Sequence, residues 1–315
     1  MTVRCVALSG GVGGAKLALG LARILPPEEL LIVANVGDDF EHLGLRICPD
    51  LDTLTYVLAG LDDTERGWGR AGETWEFMSA LAALGGETWF NLGDKDLALH
   101  VERTRRLAGD QTLSQATEAV TRRLGIGPRI VPASDDPVRT IVETGAGPLA
   151  FQHYFVRERC RPAVTGFRYE GAEAARAHPE ALAALSSPGL GAIVICPSNP
   201  YVSIDPILAI PALRAAIEGC TAPVIAVSPI VGGKALKGPT AKIMGELGQA
   251  PSAEAVARHY GRLLDGFVVD EADDSALPAI RALGMAVRAA PAVMRTEADK
   301  IALARAVLDF AASLA

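Results

Sequence analysis

Short apolar runs alternate with clusters of Gly, Asp, Asn, Ser and Pro, and with helix-period segments, along the whole chain. Unbroken apolar stretches predict strands over residues 5–8, 30–34, 192–196, 224–227, 267–269 and 285–288. The aromatic-rich stretch 88–92 reads as one more. Helical spacing covers 15–25, which stops before Pro26-Pro27, and also 53–61 and 97–107. Thr112 and Gln115 stand at capping-box spacing, which predicts a helix opening there and running to Leu124. A last helix is predicted from near Thr296 to about Ala312. Alternation of strand and helix implies parallel strands joined by crossover helices. Strands that are apolar throughout imply a sheet covered on both faces. Residues 139–156 break the rhythm and read as an antiparallel hairpin around 143–148, appended to the main sheet. The expectation is an α/β protein with a mainly parallel sheet and flanking helices, and a cap-like insertion over about 62–170 that contains this hairpin. No Ser/Pro linker divides the chain, so a single elaborated domain over 1–315 is expected.

Composition narrows the class. Half of the 315 residues are hydrophobic and 21% are charged, which excludes wholesale disorder. No apolar run approaches the roughly 20 residues that span a bilayer, and the N-terminal stretch is a poor secretory signal. A cytoplasmic protein without a membrane partner is expected. Thirty Lys and Arg face 37 Asp and Glu, for a net charge of −7. Bulk attraction to nucleic acid is therefore not expected. The five cysteines contain no C-x-x-C, so neither a disulfide framework nor a cysteine-based metal site is expected.

Ligands of an open parallel sheet bind beyond the carboxyl ends of its strands, and six polar clusters are predicted to gather there. The first is Ser9-Gly10-Gly11-Val12-Gly13-Gly14-Ala15-Lys16. Without a Cβ, its backbone N–H groups can approach phosphate oxygens at a helix N-terminus. It matches neither G-x-G-x-x-G nor a Walker loop, and a plain tight turn also accounts for it. Asp38 and Asp39 follow the second strand, and Asp50 and Asp52 precede a helix. Such paired carboxylates suit Mg²⁺ with substrate phosphate oxygens, although Asp50 or Asp52 as a mere helix cap is the bland alternative. Asp94 and Asp96 follow the run 88–92, where Asp96 suits an N-cap and Asp94 suits a ligand hydroxyl or ring N–H. Ser198, Asn199 and Ser228 follow later strands, and Asn199 equally suits a turn. Lys234, Lys237 and Lys242 sit in a Gly-rich stretch that could close on a diphosphate or remain solvated. His100 and Arg103 share a helix face with Asp96. The aromatic residues of the cap-like region serve as core, with one or two available to wall a heterocycle.

Several long runs together are similar to the 2-phospho-L-lactate transferase family. They are 9–17, Asn35-Val36-Gly37-Asp38-Asp39, Cys48-Pro49-Asp50-Leu51-Asp52-Thr53, Arg66-Gly67-Trp68-Gly69, 92–98, 132–140, 151–157, Pro197-Ser198-Asn199-Pro200 and Val227-Ser228-Pro229-Ile230. The resemblance extends from Leu8 to about Asp270. It implies a Rossmann-like core, a Mg²⁺ requirement and often a homodimer. It further implies transfer of a phospho-acid from a guanylylated donor to the ribityl hydroxyl of the deazaflavin alcohol Fo, with release of GMP, in coenzyme F(420) biosynthesis. On that basis Gly10, Gly11, Gly13, Gly14, Lys16, Asn35, Ser198, Asn199 and Ser228 are expected around the donor nucleotide. Asp38, Asp50 and Asp52 are expected on the metal, Asp94 and Asp96 toward the acceptor, and Asp94 as the catalytic group. A Rossmann-type oxidoreductase, with Asp38 on a ribose, lacks the third glycine. A non-catalytic nucleotide-binding regulator is the remaining alternative.

Overall fold

Seven apolar runs pair side by side in one fully parallel sheet. In chain order they are β1 (Cys5–Ser9), β2 (Leu30–Ala34), β3 (Arg129–Pro132), β4 (Ala192–Ile195), β5 (Val224–Val227), β6 (Gly266–Val269) and β7 (Ala286–Ala289). The computed structural model describes residues 3–235 and 238–315. Across the sheet the order is β7-β6-β5-β4-β1-β2-β3. The order reverses between β1 and β4, as in a doubly wound dinucleotide-binding sheet, and that reversal leaves a crevice beyond their carboxyl ends. The five inner strands are buried at every position, while the outer two are partly exposed. This is the pattern expected when helices cover both faces.

Helix α1 (Gly11–Ala22) follows β1 and packs between α2 (Pro49–Ala59) and the C-terminal helix α5 (Glu297–Ala312). Helices α3 (Asp94–Ala108) and α4 (Leu113–Arg123) lead into β3. The capping box at Thr112 forms as predicted, and Thr296 with Asp299 forms a second one on α5.

Four details depart from the sequence expectation. Residues 88–92 form no strand. Phe90 and Leu92 instead pack into a satellite cluster with Phe40, Ile47 and Met78, so aromatic content here reflects packing rather than a ladder. The 139–144 strand joins a separate three-stranded antiparallel sheet with 149–150 and 164–170, not the main sheet. The chain then turns helical at His153–Arg157, where Phe151 and Phe155 stack at i,i+4 with centroids 5.4 Å apart. Finally, β3 lies within the range assigned to the cap yet forms the edge of the main sheet. Its short Arg-Ile-Val-Pro sequence hides it, and Pro132 is tolerated because the strand is an edge. Among the described residues, no single helix is long and apolar enough to cross a membrane.

Candidate active site

The crevice between β1 and β4 is tight because of its glycines. A Cβ on Gly13 would stand 2.2 Å from the Pro197 carbonyl oxygen. One on Gly14 would stand 2.5 Å from Ser9 Oγ and 2.6 Å from Ser198 Oγ. Gly10 faces Asp50 Oδ2 at 2.6 Å in the same sense, and Gly11 adopts a φ of +63°. The loop therefore lets α1 start directly against the β4 loop. Its first turn carries no side-chain cap and no acidic residue. The Gly11 N–H is already committed, donating to Asp50 Oδ1 at 2.6 Å. Any anion at this helix start relies on the remaining N–H groups of the turn.

Asp50 is one arm of a buried assembly. The Asn35 amide donates to Asp50 Oδ2 at 2.9 Å, to Asp38 Oδ1 at 3.2 Å and to the Val202 carbonyl at 3.0 Å. Its own oxygen accepts the Gly37 N–H at 2.8 Å, which bends the loop after β2 back on itself. Asn35 thus spends both its amide and its oxygen within this assembly. Asp38 and Asp50 are 7% and 4% exposed. Burial, with the Asp50 charge beside it, holds the Asp38 carboxyl well above the usual range. Burial pushes Asp50 up to about 6, against the pull of Asn35 and the Gly11 N–H. Two desolvated carboxylates sharing one amide favour a bound proton or a cation between them.

Asp52 turns elsewhere. It lies in the first turn of α2, which begins at Pro49 rather than at Thr53. Its carboxylate takes both terminal nitrogens of the buried Arg103, one at 3.2 Å, and stands 3.6 Å from His100 Nδ1. His100 Nε2 lies 3.1 Å from Asp96 Oδ2, and Tyr56 donates its hydroxyl to Asp96 Oδ1. Asp52 and Tyr56 on α2 thereby mesh with Asp96, His100 and Arg103 on α3, at spacings of four and of four and three residues. Burial raises the Asp96 carboxyl, yet His100 and Tyr56 hold it below its usual value. The expected trio of metal aspartates is therefore not assembled: Asp38 and Asp50 converge, and Asp52 belongs to an interhelical ion pair. Among the described residues, no group of three or more His, Cys, Asp or Glu side chains is placed to hold a metal ion.

The acceptor and base roles expected of Asp94 do not fit its surroundings. It accepts from Thr74 Oγ1 at 2.5 Å and from the Glu76 and Phe77 N–H groups at 3.1 and 3.0 Å. It thus caps the helix Glu76–Ala83. These donors, Thr74 foremost, lower its pKa and make it a weaker base. Asp96 is not an N-cap either, because α3 starts at Asp94. Lys16 reaches the Met294 carbonyl at 3.0 Å, toward the loop after β7. Ser228 closes its own turn through Ile230, with bonds of 2.8 and 3.1 Å. Ser198 donates to the Gly10 carbonyl at 2.7 Å and so ties the two crevice loops together. Asn199 forms the turn with its oxygen, which accepts from Tyr201 N at 3.0 Å, while its buried Nδ2 has no partner. Ser9 Oγ is likewise buried without one, in the same crevice. Lys242 lies in the helix Thr240–Glu246 and bonds Glu246 at 2.5 Å and the Pro162 carbonyl at 3.1 Å, while Lys234 is exposed. Lys237 lies outside the described residues.

Of the six polar clusters, four lie at strand ends of the main sheet. The 48–53 cluster reaches them through the start of α2, and 93–96 does not. Sequence reasoning placed Ser9 in the glycine cluster and Arg103 on a helix face with Asp96 without giving either a role at the site, and it passed over Arg46.

Comparison with known proteins places the whole chain. The profile described as 2-phospho-L-lactate transferase CofD matches residues 5–300. A phosphoenolpyruvate transferase of Kitasatospora aureofaciens is 42% identical over 316 residues, covering 98% of both chains. The protein of that name from Mycolicibacterium smegmatis is 39% identical over 330 residues, covering 98% of this chain and 99% of its own. A crystal structure of a UPF0052-family protein from Bacillus halodurans superposes with a TM-score of 0.63 at 16% identity, over 98% of this chain and 99% of that one. At that identity the likeness concerns the fold.

Proposed function

The chain belongs to the CofD family of 2-phospho-L-lactate transferases, and on that premise we propose that it carries a phospho-acid from a guanylylated diphosphate donor to the ribityl hydroxyl of Fo. GMP leaves, and the product is a precursor of coenzyme F(420). The phosphoenolpyruvyl unit is the preferred cargo, because relatives 38–42% identical along nearly their whole length bear the name phosphoenolpyruvate transferase.

The observation that carries this reading is the Asp38–Asn35–Asp50 assembly beside the first N–H of α1, at the reversal point of the sheet. Its donor set fits a hard divalent ion: two buried carboxylates held by one amide, both raised in pKa chiefly by burial, with the Asp50 charge raising Asp38 further. Asp38 and Asp50 would hold Mg²⁺ there, where it would neutralise the diphosphate oxygens. The protein's own contribution is positioning. Asn35 fixes both carboxylates, Gly13 and Gly14 let α1 close on the β4 loop, and the first turn of α1 offers its free N–H groups to a phosphoryl oxygen. Ser9 Oγ and Asn199 Nδ2, buried and unpartnered, are suited to polar groups of the nucleotide. Asp94 is not carried forward as a base, and Asp52 is not carried forward as a metal ligand.

The test is to incubate the protein with Fo, Mg²⁺ and guanylylated phosphoenolpyruvate, phospholactate or phosphoglycerate, and to weigh the products. A mass equal to Fo plus the phospho-acid, with one GMP per product, supports the reading. Absence of product from all three donors would overturn it.

A further inference from the structure

The loop that carries Asp38 also opens into a second, charged recess. A cleft of about 210 Å³ lies beyond the ends of β2 and β3, lined among others by Asp39, Arg46, Arg139, Asp136 and Arg176. Its outer carboxylates are already hydrogen-bonded. Arg176 holds Asp136 through two side-chain bonds of 2.9 and 2.8 Å, and Asp135 accepts from Ser114 N and Oγ at 2.7 and 2.8 Å.

The inner charges are not matched. Asp39 is 3% exposed, and its Oδ1 has no hydrogen-bond partner. Arg139 and Arg46 line the cleft beside it. Arg139 spends one nitrogen on the Val138 carbonyl, at 2.6 Å, and keeps its other donors. Arg46 bonds through its backbone to Thr104 and Arg103, but its guanidinium makes no hydrogen bond or ion pair among the described residues. Two guanidinia with unused planar donors therefore line a partly enclosed cleft beside one buried carboxylate. Such a pair suits a small planar anion.

We propose that this cleft receives the carboxylate of the transferred phospho-acid, with Arg46 and Arg139 as its donors. The proposal rests on the transferase reading above. Asp38 and Asp39 are consecutive, and neighbouring Cα atoms are about 3.8 Å apart. An acid attached to a phosphoryl group at Asp38 is thus within reach of the cleft. Lactate, enolpyruvate and glycerate all carry the carboxylate, so the cleft selects phospho-acids as a class against phospho-alcohols.

The experiment compares two donors, guanylylated phosphoenolpyruvate and guanosine 5′-diphosphate ethyl ester, which lacks the carboxylate. Both are tested on the wild type, Arg46→Gln and Arg46→Lys, and GDP affinity is measured by calorimetry with Mg²⁺ present. A charged hydrogen bond of about 1.5–3 kcal/mol corresponds to roughly 10–100-fold. Arg46→Gln is expected to raise KM for the acid donor by that factor. It should leave the ethyl donor and GDP binding within about threefold, and Arg46→Lys should recover part of the loss. An Arg46→Gln protein that keeps the full preference for the acid donor overturns the proposal, as does one that loses both donors equally. A wild type that turns over the acid and ethyl donors equally well overturns it while leaving the transferase reading intact. A wild type inactive with every guanylylated donor removes the transferase reading, and this proposal with it.

Discussion

Asp52→Asn separates a structural carboxylate from a metal-binding one. In the structure Asp52 and Arg103 are 5% and 4% exposed and share two hydrogen bonds. The substitution removes the paired anion and leaves a buried guanidinium with one amide oxygen, the Arg46 carbonyl at 3.3 Å and a neighbouring His100. Breaking such a pair costs about 3–5 kcal/mol. Unfolding entropy near about 2.1 cal/mol/K per residue, over 315 residues, gives roughly 0.7 kcal/mol/K. The melting temperature should therefore fall by about 5–8 °C, read by scanning calorimetry. Below the transition, GDP affinity in Mg²⁺ should stay within about threefold of wild type. Asp52→Leu combined with Arg103→Met should recover more than half of the lost stability, because the two losses are not additive. A variant that melts with the wild type but loses its metal-dependent GDP affinity would refute the reasoning and return Asp52 to the metal.

Other consequences follow from the same contacts. Gly13→Ala places a methyl against the Pro197 carbonyl oxygen, so GDP affinity should fall at least tenfold, with lowered thermal stability; unchanged calorimetric titrations would show that the crevice is looser than described. Asp94→Asn should cost about 1 kcal/mol, typical of a lost helix cap, with kcat within about threefold, whereas a drop beyond a hundredfold in a steady-state assay would restore it as the base. Thr112→Ala should likewise cost about 1 kcal/mol in urea unfolding.

The main sheet was legible because its strands are apolar on both faces, and because each is followed by a turn cluster that marks its carboxyl end. Only β3 escaped, being an edge strand bounded by Arg129 and Pro132 with no run long enough to stand out. The 88–92 stretch misled for the opposite reason: Phe90 is aromatic for packing against Phe40, with ring centroids 4.9 Å apart, and not for strand pairing. At the site, proximity in sequence predicted Asp38 and Asp50 but could not separate Asp50 from Asp52. Two residues apart on a helix start, they point some 200° around the axis from each other. One therefore faces α1 and the other faces α3. Asp94 looked free because its partners, 17 to 20 residues earlier, lie at or just before the start of a helix that the sequence reading did not place. Arg46 carried no local signal, since its significance comes only from the cleft it enters.

The central claim is that Asp38 and Asp50, and not Asp52, hold the divalent ion that meets the diphosphate. Electron paramagnetic resonance titration of Mn²⁺ into the protein with GDP measures this without relying on turnover. Wild type and Asp52→Asn should bind one ion with similar affinity, while Asp38→Asn and Asp50→Asn should each weaken it at least tenfold. Equal Mn²⁺ affinity in Asp38→Asn, Asp50→Asn and the wild type would contradict the account.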